Sequence, residues 1–449
     1  MGKRVLSEEL EKYGYVFSLK RSLPLYLGAF LGIFILGKFF SLNVYCRIFL
    51  AVVLFLYLPF FVRNTLKNRY QQQRFSDLNI YMEQFLYSFQ KSGKILTTLQ
   101  EVQSLFTEGE MYLCIEKAID HILHTFNEEE VEKNALLILE KEYRYQGMET
   151  MHRFARQVEK NGGEYSRAIS LLLEARRLWA DRIYMLLKAK RKQRFEVILS
   201  IIMSLLLCSV IYFMAGRMGI NVASHPLAQA GTLVVLLMDI HIFYLADKRF
   251  TADFIEQQTR DTESLIESYR MLRDENRTGF FDRIGKRIAA KNVGRAIEIA
   301  FPVWLMEVSL LLQSENVQVA IFKSYDEAPE ILKEPLKDLI YELQRHPTEM
   351  QPYHNFLSEF TLPEVRSAMK MLYSLSEGTG GEAGSQIEDI IHRNQILLDR
   401  SEQMKNEDSL AGMYALFLAP QITGGCKLVV DMLLLMVVYL GQLGGMAVG

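Results

Sequence analysis

Long apolar segments alternate along this chain with polar segments in which apolar residues recur at helical spacing. The most apolar segments are 23–40, 45–62, 195–215, 227–246 and 428–443. Because about 20 apolar residues cross a bilayer, we predict about five transmembrane helices, the first four paired as two hairpins. The apolar stretch 411–423 is short and contains Pro420, so we expect it to lie at the membrane interface or to lead into the last span.

The polar regions are also predicted to be helical. In the first of them, Leu78, Met82 and Phe85 follow a spacing of three to four residues. Ser92-Gly93 then interrupts this pattern, as a helix end would. Because no sustained alternation with a period of two residues occurs, we predict an all-α, polytopic membrane protein with two helical-bundle modules.

One short phrase occurs twice in otherwise different helical surroundings. The two copies are Gly162-Gly163-Glu164 and Gly380-Gly381-Glu382, and they are followed at equal distance by Asp181-Arg182 and Asp399-Arg400. Glycine just after a helix adopts the left-handed conformation at little cost, so we interpret the phrase as a structural helix end. Its repetition predicts that the chain carries a duplicated module.

Basic residues flank the predicted spans on one side of the membrane. They include Lys20 before the first span, Arg63 after the second and Lys248 after the fourth. The positive-inside rule therefore predicts a cytoplasmic N-terminus and two cytoplasmic modules. The predicted segments are the N-terminus 1–22, a hairpin 23–62, the first module 63–194, a second hairpin 195–246, a linker 247–300, the second module 301–410 and a C-terminal membrane segment 411–449.

The net charge of the polar regions differs in sign. Residues 63–194 hold 22 Lys or Arg against 18 Asp or Glu, and residues 247–425 hold 20 against 29. Opposite signs favour contact between the modules or with different partners, and two independently solvated surfaces are an equal alternative. The four cysteines are far apart in the sequence, which indicates a reducing compartment for the soluble parts.

The predicted linker ends in a basic amphipathic helix over 280–300. Apolar Phe280, Phe281 and Ile288 share this segment with five cations. The cations are Arg283, Lys286, Arg287, Lys291 and Arg295. Such helices lie on anionic lipid, so we predict a lipid-surface helix, with a solvated linker helix as the alternative.

Three ionisable residues fall within predicted spans: Asp239, His241 and Asp431. Because charge at membrane depth is costly, such groups face a bundle interior, pair with one another or carry protons. Asp431 is near the predicted start of the last span beside Lys427, so we expect it to snorkel towards the headgroups. For Asp239 and His241 we favour a hydrogen bond between helices, with a proton or ion path as the alternative.

No pattern for catalysis or metal binding stands out. The run from Gly32 to Phe39 resembles a P-loop as far as Lys38, but a phenylalanine replaces the residue that would bind magnesium. His121 and His124 are spaced like two ligands without a third. We therefore predict no catalytic residue, no cofactor and no metal site.

The module motifs carry a resemblance to a known family. These motifs are Lys91-Ser92-Gly93-Lys94-Ile95, Lys160-Asn161-Gly162-Gly163-Glu164 and Glu377-Gly378-Thr379-Gly380-Gly381-Glu382. Their order relative to the spans resembles the type II secretion F-domain family over 75–194 and 303–443. Members are inner-membrane platform proteins of type II secretion, type IV pili and Flp (Tad) pili.

The resemblance implies a scaffold and no enzyme. Platform proteins dock a hexameric secretion ATPase on their cytoplasmic modules and pass its motion to pilin or pseudopilin subunits. It further implies other platform subunits in a homo- or hetero-oligomer, a bacterial cytoplasmic (inner) membrane and no nucleic-acid partner. The alternative function is a multi-span transporter or channel that uses Asp239 and His241, but transporters place most of their chain in packed spans.

Overall fold

A computed structural model describes residues 19–125, 130–162, 165–251, 262–273, 280–313, 315–378 and 383–447. Within these ranges every regular element is a helix, which confirms the all-α prediction.

Sixteen helices follow one another in the described residues. They are α1 (Leu19–Phe39), α2 (Val44–Ser92), α3 (Ile95–Gln103), α4 (Glu110–His124), α5 (Val131–Tyr143), α6 (Gln146–Asn161), α7 (Ser166–Arg217), α8 (Pro226–Phe250), α9 (Thr262–Arg273), α10 (Phe280–Leu311), α11 (Val317–Lys323), α12 (Glu330–Arg345), α13 (Gln351–Asn355), α14 (Pro363–Glu377), α15 (Ala383–Leu410) and α16 (Met413–Ala447).

The chain divides into two compact units. Unit 1 comprises Met1–Gln73, Met185–Asp253 and Leu410–Gly449, and unit 2 comprises Arg74–Tyr184 and Phe254–Ser409. Helices α2 and α7 are 49 and 52 residues long, and each contributes residues to both units.

By length and composition, four helices could cross a membrane: α2, α7, α8 and α16. The first predicted span forms α1, whose apolar helical part Tyr26–Phe39 is shorter than a full span, so a fifth span stays a prediction. Large apolar side chains point outward from these helices, and Phe55 and Leu56 of α2 are 61% and 62% exposed. Outward apolar side chains are expected where a helix faces lipid.

Helix α16 begins earlier than the hydropathy pattern predicted. The stretch 411–423 leads without a break into the last span, because α16 continues through Pro420. Proline costs a helix one backbone hydrogen bond. Beside this position the Ser200 hydroxyl of α7 donates to the carbonyl of Phe417 at 2.6 Å. A neighbouring hydroxyl of this kind lets a membrane helix retain an internal proline.

Gln229, in the first turn of α8, ties together the two turns of unit 1. Its side-chain oxygen accepts from the backbone N–H of Asn43 at 3.1 Å, in the turn between α1 and α2. Its amide nitrogen donates to the carbonyls of Ser41 and Ala223, each at 3.1 Å. Both hairpin turns therefore lie at one end of unit 1, as two hairpins entering from the same side require.

Unit 2 contains two series of six helices with the same order of lengths. The first series is α2, α3, α4, α5, α6 and α7, and the second is α10, α11, α12, α13, α14 and α15. Helices α3 and α11 have 9 and 7 residues, α4 and α12 have 15 and 16, and α6 and α14 have 16 and 15. The fourth members differ, since α5 has 13 residues and α13 only 5.

The first helices of the two series bury side chains at matching positions. Three pairs that are each 219 residues apart in the numbering are buried to within 1% of full burial: Phe85 with Trp304, Leu86 with Leu305, and Phe89 with Val308. Apolar residues at this three-to-four spacing form one stripe that packs into the core of each series.

Helix α10 continues through the predicted boundary between residues 300 and 301. It contains Pro302, which removes a backbone donor. The buried amide of Asn394 in α15 lies beside the break, donating to the carbonyl of Pro302 at 3.0 Å and accepting from the N–H of Met306 at 3.1 Å. The basic linker helix and the first helix of the second series are therefore one element.

Candidate functional site

His241 has the hydrogen bond between helices that its position predicted. Its Nδ1 lies 2.9 Å from the hydroxyl of Tyr57 on α2. The rings of Tyr57 and Tyr244 pack edge to face at 5.2 Å on the same side of α8. His241 is thereby part of an aromatic contact between α2 and α8.

Asp239 differs from His241 in every respect that bears on function. Its residue surface is 3% exposed, and neither carboxylate oxygen has a hydrogen-bond partner. The expected hydrogen bond between helices is therefore wrong for Asp239. His241 is exposed and bonded to α2, so the two residues do not form the joint path that the transporter alternative invoked.

Asp431 corrects the snorkelling interpretation. Because α16 begins at Met413, Asp431 lies well inside the helix and not near its start. Lys427, one turn earlier, donates to the Asp431 carboxylate. The two side chains are 2% and 1% exposed, so they form an ion pair buried in protein and do not reach towards headgroups.

Helices α7 and α8 complete the surroundings of this ion pair. The ammonium group of Lys427 donates to the hydroxyl of Tyr212 at 2.9 Å and lies 4.9 Å from the centre of its ring. The same hydroxyl is 2.8 Å from Thr232 Oγ1 on α8. Gly231 leaves room for the lysine stem, since a Cβ there would lie 3.2 Å from Lys427 Cδ. Three helices of unit 1 thus meet at one lysine.

The structure places some of the motif glycines at helix ends. Gly93 and Gly162 follow α2 and α6 with φ of 62° and 68°, values that glycine adopts most readily. In the second series, α14 ends at Gly378 with φ of 65°, before the predicted glycine pair. The predicted residues Gly163, Glu164, Gly380, Gly381 and Glu382 lie outside the described residues.

The cations of the basic helix divide between solvent and the second series. Arg287 and Lys291 are exposed on α10, next to Ile288, which is 59% exposed. Arg295 forms an ion pair with Glu407 of α15 at 3.4 Å. Arg283 lies on α10, with its side chain outside the described set. The exposed part of α10 keeps the mixed basic and apolar surface that the sequence predicted.

Ion pairs join the two series of unit 2. Arg153 of α6 contacts Glu327 at 2.6 Å and Glu307 of α10 at 3.8 Å. Burial raises the pKa of Glu307, and Arg153 opposes that shift. Arg182 of α7 pairs with Glu402 of α15, and both side chains are 11% exposed. The opposite net charges of the two regions thus correspond to contact between them, one of the alternatives that the sequence left open.

A buried chain of three polar side chains lies in the core of the first series. His152 of α6 is fully buried, with Nε2 2.8 Å from the hydroxyl of Tyr81 and Nδ1 2.9 Å from Glu140. A carboxylate can only accept, so Nδ1 carries the proton and Nε2 accepts from Tyr81. Burial lowers the pKa of His152, and Glu140 opposes that shift, while burial raises the pKa of Tyr81.

This chain predicts a pH-dependent stability. Because the folded state holds His152 neutral, protons bind more readily to the unfolded state, and stability falls as the pH falls below about 6.5. In His152→Gln this part of the pH dependence should disappear, as measured by urea unfolding in detergent at several pH values. His124→Gln, at an exposed histidine of the same series, should follow the wild type. An unchanged slope in His152→Gln would contradict the assignment.

Comparison of the chain with protein-family models, with curated proteins and with solved structures gives no match. In the described residues no group of three His, Cys, Asp or Glu side chains converges to hold a metal ion.

Two polar clusters escaped prediction from the sequence. Lys427 is the only charged residue between Met413 and Val430, and a lone lysine four residues before Asp431 was a usable signal for an ion pair. His152 and Tyr81 gave no such signal, because they are 71 residues apart and meet only through tertiary packing.

Proposed function

We propose that this chain is the inner-membrane platform protein of a bacterial pilus-assembly or type II secretion machine. In this role it is a scaffold that couples a cytoplasmic hexameric ATPase to the assembly of pilin or pseudopilin subunits. The observation that carries the proposal is the pair of matched helical series, each joined in the chain to membrane-crossing helices. The first series includes α2 and α7, and α16 follows the second after Leu410.

We infer that the second series is a duplicate of the first. Support comes from the shared order of helices, from the matched buried positions and from the glycines that end α6 and α14. In each series the sixth helix also sends a polar side chain to the first: Arg176 bonds to Glu83 at 2.9 Å, and Asn394 bonds to Pro302. Arg176 and Asn394 are 218 residues apart, the spacing of the repeated phrase.

The long helices offer a means of passing motion from soluble to membrane-embedded residues. At about 1.5 Å per residue, a helix of the length of α7 extends for about 78 Å. Neither proline nor a break interrupts α7 between Ser166 and Arg217. A displacement that the ATPase imposes on the soluble end of α7 therefore reaches its apolar end without a flexible joint.

The orientation follows from the basic flanks of the spans. We place the N-terminus and both series in the cytoplasm and the two hairpin turns joined by Gln229 on the opposite side. The exposed cations of α10, Arg287 and Lys291 among them, then face anionic headgroups of the inner leaflet.

Genetic deletion and purification from native membranes test this function together. Deleting the gene should abolish surface filaments or secretion of substrate proteins, and wild-type chain should restore them. The tagged full-length chain, cross-linked in the membrane and purified in detergent, should bring with it a hexameric ATPase and pilin-like subunits. A tagged multi-span protein of the same membrane is the control. Filaments and secretion that persist after deletion, with no ATPase among the cross-linked proteins, would overturn the proposal.

A further inference from the structure

Asp239 faces the interior of unit 1 from the middle of α8. Thr232, Val235 and Leu236 are buried on the same side of this 25-residue helix. A carboxyl in this position is separated from both ends of a membrane-crossing helix by apolar residues. Ionisable groups at such depth are costly and mark functional sites.

Unlike the other buried aspartate of α8, Asp239 has no donor. Asp247 accepts from the amide of Asn64 at 3.0 Å and pairs with Arg194 at 3.0 Å. Both carboxylate oxygens of Asp239 are buried without a hydrogen bond. An ionised carboxylate without donors or counter-charge is strongly disfavoured in apolar surroundings, so this one must bind a cation.

The charged neighbours of Asp239 are already engaged elsewhere. On α16, Lys427 is bonded to Asp431 and Tyr212. The charges of Asp239, Lys427 and Asp431 all act on Cys208 of α7, which places these groups in one region of unit 1. On the opposite side of α8, His241 is bonded to Tyr57 of α2. No basic group that the structure describes forms an ion pair with Asp239.

A proton fits this site better than a metal ion does. Metal cations require oxygen ligands from several directions. No cluster of three His, Cys, Asp or Glu side chains surrounds Asp239 in the described part of the chain. The nearby buried Ser204 hydroxyl of α7 and one oxygen of Asp431 also lack partners, so polar atoms are present along which water can reach the carboxyl.

We propose that Asp239 is a reversible proton-binding site in the membrane-embedded unit. Its carboxyl holds the proton while the site is closed. When water enters, the O–H bond breaks, the proton passes to water as hydronium, and a carboxylate remains. This inference is independent of the platform function and follows from unit 1 alone.

Infrared spectroscopy of the full-length protein in lipid nanodiscs tests the proposal. At neutral pH we expect a carbonyl band from a protonated carboxyl that is lost in Asp239→Asn and displaced in Asp239→Glu. Asp247→Asn, at the hydrogen-bonded aspartate of the same helix, should keep the band. Raising the pH should convert the band reversibly into a carboxylate band in the wild type only.

Two results would overturn the proposal. If Asp239→Asn has the same carbonyl band as the wild type, then Asp239 is ionised or contributes nothing. If the band persists to the highest pH at which the protein stays folded, the proton is permanent and the site is only structural. Should Asp239→Asn fail to fold, the presence or absence of the displaced band in Asp239→Glu decides the same question.

Discussion

Replacing Lys427 with methionine is expected to destabilise unit 1 by about 3 kcal/mol. Methionine keeps an unbranched apolar side chain but removes the charge, so the carboxylate of Asp431 stays buried with no counter-charge. The hydroxyl of Tyr212 loses its bond to the ammonium group as well. Thermal unfolding of the purified full-length protein in detergent, followed by helical circular dichroism, should show a lower midpoint for this variant.

Two further variants separate the ion pair from general effects of losing a lysine. Lys427→Met combined with Asp431→Leu removes both charges and should recover most of the loss, because buried ion pairs contribute little beyond apolar packing. Lys192→Met, at a side chain that is 78% exposed and 3.8 Å from Glu196, should change stability by less than about 1 kcal/mol. A Lys427→Met protein as stable as the wild type would show that the pair is not buried as the structure describes.

The principal helices could be predicted because their signals are local. The three-to-four spacing of Leu78, Met82 and Phe85 is carried by consecutive turns of α2. Ser92-Gly93 ends that helix in the structure as in the sequence, since glycine alone adopts φ of 62° without strain. Apolar length likewise predicted the helices that could cross a membrane, because burial of the backbone in lipid leaves few alternatives.

The candidate site could be predicted only in part, because partners of buried polar groups come from distant segments. Asp239 and His241 are two residues apart and share one apolar segment, yet one is buried without a partner and the other contacts Tyr57. Pro420 suggested a break, and nothing local indicated that Ser200 would lie beside it. Helix ends near a glycine pair were similarly ambiguous, since Gly378 precedes the predicted pair by two residues.

Replacing Trp304 with alanine is expected to destabilise unit 2 by about 4 kcal/mol. The side chain is fully buried in the second series, with its ring 5.5 Å from Phe301 and 5.8 Å from Phe356. Its Nε1 also donates to the hydroxyl of Ser324 at 2.9 Å. Alanine leaves a large cavity among side chains that are too constrained to close it, and urea unfolding in detergent should show the loss.

Trp304→Phe distinguishes packing from the hydrogen bond. It keeps an aromatic ring in the core but cannot donate to Ser324, whose hydroxyl still donates to the carbonyl of Ile321 at 2.8 Å. A loss of about 1 kcal/mol is therefore expected for this variant. A loss as large as that of Trp304→Ala would assign the stability to the hydrogen bond and contradict the packing account.

The matching position in the first series extends this test to the whole of unit 2. Phe85 is fully buried and 219 residues before Trp304, and Phe85→Ala is expected to cost about 3 kcal/mol. Arg153 and Arg182 link the two series through buried or half-buried ion pairs, so both alanine variants should lower one shared unfolding transition. Two separate transitions, each lowered by one variant alone, would show instead that the series unfold independently and that the ion pairs between them do not couple their folding.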